Sequence, residues 1–178
     1  LQGDVGSGKT IVAIMSVIIA VENNFQSCIV APTEILAQQH FSSFINYLSD
    51  ININVEILTG STTKLQRNLI LSDLIIGKID VLIGTHALFE DDVRFKNLGY
   101  VVIDEQHKFG VKQRSKMWKK NNPPPHVLIM TATPIPRTLT MSIYGDLDIS
   151  IIDEMPPGRK DIVTAVSYTH LRAHETRG

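Results

Sequence analysis

The chain has 178 residues, 43% of them hydrophobic and 20% charged, and a formal net charge of −1 at pH 7. This balance is typical of one globular domain, and the longest apolar run, residues 11–21, is too short to cross a bilayer. The single cysteine, Cys28, excludes a disulfide framework or a zinc pattern and favours a reducing, cytoplasmic compartment.

A phosphate-binding pattern opens the chain. Residues 3–10, Gly-Asp-Val-Gly-Ser-Gly-Lys-Thr, fit G-x-x-x-x-G-K-[ST] position for position, and the apolar run that follows predicts a helix. Lys9 is expected to reach the β and γ phosphates and Thr10 to hold Mg²⁺, so the predicted ligand is a nucleoside triphosphate. The residues expected to bind it are Gly3, Gly6, Ser7, Gly8, Lys9 and Thr10. Because two residues precede the pattern, we expect its usual leading strand to be a stub in a fragment that begins inside a fold.

Helix-like and strand-like segments then alternate, which is typical of an α/β fold with a mostly parallel sheet and helices on both faces. The predicted strands are residues 27–31, 55–58, 80–84, 100–103 and 126–130. The predicted helices after the first are residues 33–48, 63–76 and 111–120. Cys28 is expected to pack as a small core residue.

Two acidic residues follow a predicted strand. Asp104 and Glu105 come directly after residues 100–103, and the carboxyl ends of parallel strands meet at the edge where ligands bind. We expect Asp104 to complete the Mg²⁺ shell and Glu105 to polarise the water that attacks the γ-phosphorus. Without the phosphate loop, such a pair would be interpreted as a solvated strand end.

Further polar residues follow the acidic pair. Gln106 and His107 are expected to contact the γ-phosphate. They would form a hydrogen-bond relay from it to Thr131 and Thr133, at the end of the next strand. Local backbone capping is the alternative for both pairs. Residues 108–120 are basic and contain no acid, so they form either a DNA-attracting patch or the solvated face of a helix.

Three of these motifs resemble, in order, motifs I, II and III of superfamily 2 helicases: residues 6–10, 104–107 and 131–134. Flanking residues 32–37, 84–88, 106–111, 133–139 and 144–148 narrow the resemblance to the RecG family of DNA helicases, over residues 3 to about 164. Lys108 departs from the arginine common in that family. The family of the transcription-repair coupling factor Mfd, a duplex DNA translocase, is the nearest alternative.

The resemblance implies a RecA-like P-loop NTPase domain, the first motor domain of an ATP-dependent DNA helicase that remodels stalled forks and Holliday junctions. ATP and Mg²⁺ would be its cofactors, branched or duplex DNA its partner, and no membrane is involved. The resemblance places DNA-backbone contacts on Pro32, Thr33, Thr59, Gly60, Gly84 and Thr85. The domain is expected to span residues 1–165, followed by a non-native tail at residues 166–178; a genuine short terminal helix is the alternative.

The resemblance also implies that parts of the motor lie outside this chain. The second RecA-like domain supplies an arginine that stabilises charge in the transition state, and in related systems such an arginine raises the rate ~10³- to 10⁵-fold. A wedge domain recognises the branch point of the DNA. We therefore expect the isolated chain to be a poor ATPase. Two further hypotheses are a P-loop ATPase that remodels a protein partner and an inert truncation with an exposed sheet edge.

Overall fold

A computed structural model describes residues 1–105, 120–133 and 148–154. The strands of this part are β1 (Gln2–Gly3), β2 (Gln26–Val30), β3 (Val55–Leu58), β4 (Val81–Gly84), β5 (Leu98–Asp104), β6 (His126–Met130) and β7 (Ile151–Ile152). Its helices are α1 (Lys9–Glu22), α2 (Glu34–Leu48), α3 (Lys64–Ile76) and a 3₁₀ helix at His86–Phe89.

Five of the strands form a parallel sheet in the order β3-β4-β2-β5-β6. β1 and β7 form a second parallel pair, and a bridge between Gln2 and Thr131 joins that pair to the end of β6. Every strand of the larger sheet therefore points its carboxyl end toward one edge. The predicted parallel α/β architecture is confirmed.

The core lies on both faces of this sheet, because side chains alternate along each strand. In β2, Cys28 and Val30 pack on the face that carries α3, whereas Ile29 packs on the face that carries α1 and α2. Cys28 is fully buried, as predicted. Helices thus cover both faces.

The ends of the elements differ slightly from the prediction, for local reasons. Thr33 has extended backbone and its Oγ1 accepts a hydrogen bond from the Leu36 N–H at 3.3 Å, so it caps α2 and the helix begins at Glu34. β5 continues to Asp104 because that residue still pairs with Met130 of β6. The helix predicted at residues 111–120 lies outside the described residues except for Lys120.

Candidate nucleotide site and DNA-binding edge

The phosphate loop lies between β1 and α1, and two of its glycines have left-handed backbone. Gly6 has φ 80° and Gly8 has φ 95°, a region that residues with a Cβ rarely adopt. The Lys9 ammonium donates to the carbonyl oxygens of Gly3 and Asp4, at 2.6 and 2.8 Å. The loop therefore combines two glycines in left-handed backbone with a lysine held against the loop's own backbone.

Ser7 lies inside this loop and is buried, with 7% of its surface exposed. Its Oγ has no hydrogen-bond partner among the described residues. A Cβ on Gly3 would lie 2.5 Å from that Oγ, so glycine at position 3 leaves room for the serine. An unpaired buried hydroxyl is costly, which is consistent with a site for a polar ligand.

Asp104, the last residue of β5, faces α2. Its Oδ2 lies 2.9 Å from His40 Nε2, and both side chains are largely buried. Thr10, His40 and Asp104 line one cavity of about 730 Å³. The two residues predicted to hold Mg²⁺, Thr10 and Asp104, therefore face the same space.

The donors in this cavity fit Mg²⁺. A hydroxyl and a carboxylate are hard oxygen donors, and Mg²⁺ is usually held by one or two carboxylates, water and substrate phosphates. No group of three or more His, Cys, Asp or Glu side chains suited to a metal occurs in residues 1–105, 120–133 and 148–154. Thr10 and Asp104 are thus suited to a Mg²⁺ ion that shares its shell with water and nucleotide phosphates.

Glu105 is held by the loop after β6. Its Oε2 accepts from the Thr131 hydroxyl at 3.1 Å and its Oε1 from the Ala132 N–H at 3.0 Å. Its backbone has φ 48°, an uncommon left-handed conformation for a residue with a side chain. The Thr131 and Thr133 hydroxyls lie 2.9 Å apart. Thr131 and Thr133 are therefore connected to Glu105.

The sequence predicts different partners for Thr131 and Thr133. It predicts that Gln106 and His107 contact Thr131 and Thr133, and both Gln106 and His107 lie outside the described residues. Among the described residues, the acidic partner of Thr131 is Glu105. The sequence gives no sign of this contact, because a catalytic carboxylate is expected to face water.

Five of the six predicted DNA-contact residues lie in the loops that follow β2, β3 and β4, and Gly84 is the last residue of β4, at the same edge of the sheet. Thr33 and Gly60 are exposed, and Pro32 is half-buried. Thr59, Gly84 and Thr85 are buried. A Cβ on Gly84 would lie 2.0 Å from the Leu58 carbonyl oxygen, so glycine is required where β3 and β4 approach each other. The exposed surface of these loops consists largely of backbone and small side chains.

A carboxylate joins two of these loops. Glu34, the first residue of α2, accepts from the Ser61 N–H at 3.1 Å and from the Ser61 hydroxyl at 2.9 Å. Thr59 Oγ1 in turn lies 2.9 Å from Ser61 Oγ. The loop after β3 is therefore attached to the start of α2.

Sequence reasoning assigned no role to His40 or to the carboxylate of Glu34. His40 does carry a sequence signal, because it lies with Ala37, Phe44 and Leu48 on the buried side of α2, where a polar residue needs a partner. For Glu34, the sequence signal is that of an acid in the first turn of a helix.

Of the basic stretch at residues 108–120, the structure describes Lys120. The Lys120 ammonium donates to the carbonyl oxygens of Glu90 and Val93, at 2.8 and 2.7 Å. These two hydrogen bonds hold the Lys120 ammonium against the backbone of this chain. The rest of the stretch lies outside the described residues.

Comparisons with known proteins show the family of this chain. The family description "DEAD/DEAH box helicase" matches residues 1–142. The chain belongs to the DEAD/DEAH box helicase family. In the described part of this helicase chain, no helix has the length and apolar character needed to cross a membrane.

Among its relatives, the ATP-dependent DNA helicase RecG of Aquifex aeolicus is 56% identical over 169 residues, covering 94% of this chain and 21% of that protein. The RecG of Bacillus subtilis is 50% identical over 164 residues, covering 92% of this chain and 24% of that protein. The chain therefore spans about a fifth to a quarter of the length of these relatives.

Two solved structures show the same fold. A structure of RecG bound to a three-way DNA junction matches with a TM-score of 0.77 and 48% identity, covering 91% of this chain and 21% of that one. The DEAD-box helicase domain 2 of Mss116p bound to an RNA duplex matches with a TM-score of 0.58 and 11% identity, covering 80% of this chain and 67% of that one. The second likeness shows the fold alone. The predicted resemblance to the RecG family is confirmed.

Proposed function

We propose that this chain is the first RecA-like motor domain of an ATP-dependent DNA helicase that remodels branched DNA, such as stalled forks and four-way junctions. The observation that carries the proposal is the 48% identity, over 91% of the chain, to a RecG bound to a three-way junction. The proposal takes residues 1–165 as the domain and residues 166–178 as a non-native tail. Its partners are DNA, a second RecA-like domain and a wedge domain. Its proposed compartment is the cytoplasm, which the single cysteine favours.

ATP is the proposed ligand of the phosphate loop. The Lys9 ammonium, held here by the carbonyls of Gly3 and Asp4, exchanges these for phosphate oxygens when the nucleotide binds. The helix dipole of α1 and the N–H groups of residues 6–10 add to the attraction. Thr10 and Asp104 would hold Mg²⁺, which would neutralise charge on the phosphates.

Glu105 is the proposed residue that orients the attacking water. In this structure Thr131 and Ala132 occupy both of its carboxylate oxygens, which fixes the side chain against the loop after β6. A change in the position of that loop therefore alters the orientation of the carboxylate. Gln106 and His107 are proposed to lie beside the γ-phosphate.

The DNA backbone is proposed to lie along the loops after β2, β3 and β4. Exposed N–H groups and the N-terminus of α2, at Thr33 and Glu34, are typical phosphate donors that carry no sequence information. Gly60 and Thr33 provide the exposed part of this surface. Contacts of this kind suit an enzyme that recognises DNA shape rather than sequence.

The proposal can be tested in a full-length chimera, in which residues 1–165 replace the matching segment of the Aquifex aeolicus RecG. We expect the chimera to hydrolyse ATP faster with a three-way junction than without it, and to unwind that junction. Lys9→Ala should abolish both activities. Lys78→Ala is the matched control, because Lys78 lies just before β4 at the opposite edge of the sheet and pairs with Asp73. A folded chimera without junction-stimulated hydrolysis would favour a protein-remodelling ATPase.

Nucleotide binding can be tested on the chain itself. A fluorescent ATP analogue should bind in the presence of Mg²⁺, and Lys9→Ala should lose this binding. Saturable binding that Lys9→Ala leaves intact would contradict the assignment of the phosphate loop.

A further inference from the structure

His40 is a buried polar residue without a role in the site proposed above. It lies on α2 and has 8% of its surface exposed, and its Nε2 lies 2.9 Å from Asp104 Oδ2. An ionised carboxylate can only accept, so Nε2–H is the donor of this hydrogen bond. The two residues are 64 positions apart, which means that the tertiary fold brings them together.

This hydrogen bond restricts the carboxylate of Asp104. A carboxylate rotates freely about its terminal bond unless a partner holds one oxygen. With Oδ2 bound to His40, the orientation of Oδ1 is set as well. Partners of this kind orient metal ligands, and their loss typically lowers metal affinity about 10- to 100-fold.

The first turn of α2 is attached to the loops proposed to bind DNA. Glu34 begins the helix and accepts two hydrogen bonds from Ser61, and Thr33 caps it. His40 follows Glu34 within two turns, a rise of roughly 9 Å along the axis. Between them Ala37 is completely buried in the core. A displacement of the loops is therefore transmitted by a short, packed length of helix.

We propose that His40 is the positioning residue of Asp104, and that through it α2 connects the DNA-binding loops to the Mg²⁺ site. The inference rests on the proposed function, since it takes Asp104 as a metal ligand and these loops as the DNA contact. DNA that changes the position of the Glu34–Ser61 contact would change the orientation of the Asp104 carboxylate. The affinity for Mg²⁺ would then depend on bound DNA.

The test measures Mg²⁺ affinity apart from catalysis. In the full-length chimera, binding of a fluorescent ATP analogue is titrated with Mg²⁺, and binding in EDTA is measured separately. His40→Leu removes the donor at similar volume, and we expect it to raise the half-saturating Mg²⁺ concentration about 10- to 100-fold while binding in EDTA stays unchanged. His40→Gln keeps an N–H donor at similar reach and should stay within about threefold of the unmodified chimera. His126→Leu is the matched control, because His126 is exposed at the start of β6.

Coupling to DNA is measured by repeating the Mg²⁺ titration with a three-way junction. In the unmodified chimera the junction should shift the Mg²⁺ requirement, and His40→Leu should remove this shift while the junction still binds. An unchanged Mg²⁺ requirement in His40→Leu, or an equal loss of binding with and without Mg²⁺, would show that His40 only packs α2. A shift by DNA that survives in His40→Leu would overturn the proposed connection. Failure of the unmodified chimera to bind nucleotide or junction would instead overturn the proposed function.

Discussion

Gln26 provides a quantitative test of how β2 is held in the sheet. Its side chain is buried and makes four hydrogen bonds to backbone. Nε2 donates to the carbonyl oxygens of Leu74 and Ile79, at 2.9 and 2.7 Å. Oε1 accepts from the N–H groups of Lys96 and Asn97, at 2.7 and 3.0 Å. One amide thereby ties the end of α3 and the segments before β4 and β5 to the start of β2.

Gln26→Leu keeps the volume of the side chain and removes all four bonds. The Ile79 carbonyl left without its partner costs about 1–2 kcal/mol, whereas the Leu74 carbonyl still accepts a bond from the Gly77 N–H and costs about 0.5 kcal/mol. The two N–H groups lie closer to solvent, and we expect them to cost about 0.5 kcal/mol each because water can replace part of the bond. The sum is about 3 kcal/mol, a large part of the 5–15 kcal/mol typical of a domain.

Cys28 offers a way to measure this cost, because it is the single cysteine and lies two residues further along β2. A thiol reagent reacts with it when β2 opens, so at low reagent concentration the rate reports the free energy of opening. A loss of 3 kcal/mol corresponds to a rate about 100-fold higher. Gln38→Ala, a glutamine exposed on α2, is the control and should leave the rate unchanged.

Two results would refute this reasoning. A Gln26→Leu chain whose Cys28 reacts at the unmodified rate would show that the four hydrogen bonds add nothing to stability. An unmodified chain that reacts as fast as a denatured thiol would show that β2 is not held in the sheet at all.

Three further predictions concern other parts of the structure. Gly84→Ala would place a Cβ 2.0 Å from the Leu58 carbonyl oxygen, so β3 and β4 must separate at the ends that carry the proposed DNA-contact loops. We expect this change to lower the free energy of unfolding by about 2–4 kcal/mol, measured by urea denaturation, and to weaken junction binding by the chimera. Gly60→Ala should cost less, because the nearest atom, Glu34 Oε1 at 3.2 Å, needs to move by only a few tenths of an ångström. Burial raises the pKa of the Cys28 thiol from 9.0 to about 12, so the folded chain holds this proton more tightly than the unfolded chain. The free energy of unfolding should therefore fall as the pH rises from about 9 toward 12. The fall should be shallower in Cys28→Ala, and equal slopes would contradict the raised pKa of this thiol. Arg67 pairs with Glu90 and Asp92 at 2.6 and 2.9 Å, but both acids are about half exposed, so Arg67→Ala should lower the free energy of unfolding by less than about 1 kcal/mol, with a difference that shrinks in high salt.

Much of the fold was predictable because each signal is local. Short apolar runs identified β2 and β6, and the glycine spacing of residues 3–10 identified the phosphate loop. Two predicted ends were wrong by one residue. Thr33 caps α2 rather than beginning it, and Asp104 belongs to β5 because it pairs with Met130 of β6.

The candidate site was predictable in its members but not in its contacts. Asp104, Glu105, Thr131 and Thr133 were identified from their places after strands. Their partners could not be read in the same way, since the direction of a side chain depends on the conformation of its own backbone. At Glu105 the left-handed φ of 48° is a local exception that no pattern of residues predicted.

By itself, the sequence of this chain determined the phosphate loop, the order of strands and helices, and the family to which the chain belongs. These follow from residue type and spacing, which act over a few positions at a time. The tertiary structure alone decided that His40 contacts Asp104, that Glu34 joins two loops, and that the Gln26 side chain bonds to three separate segments. Parallel strands are connected by long crossovers, so residues far apart in the chain meet at one edge, and their pairing depends on register and packing.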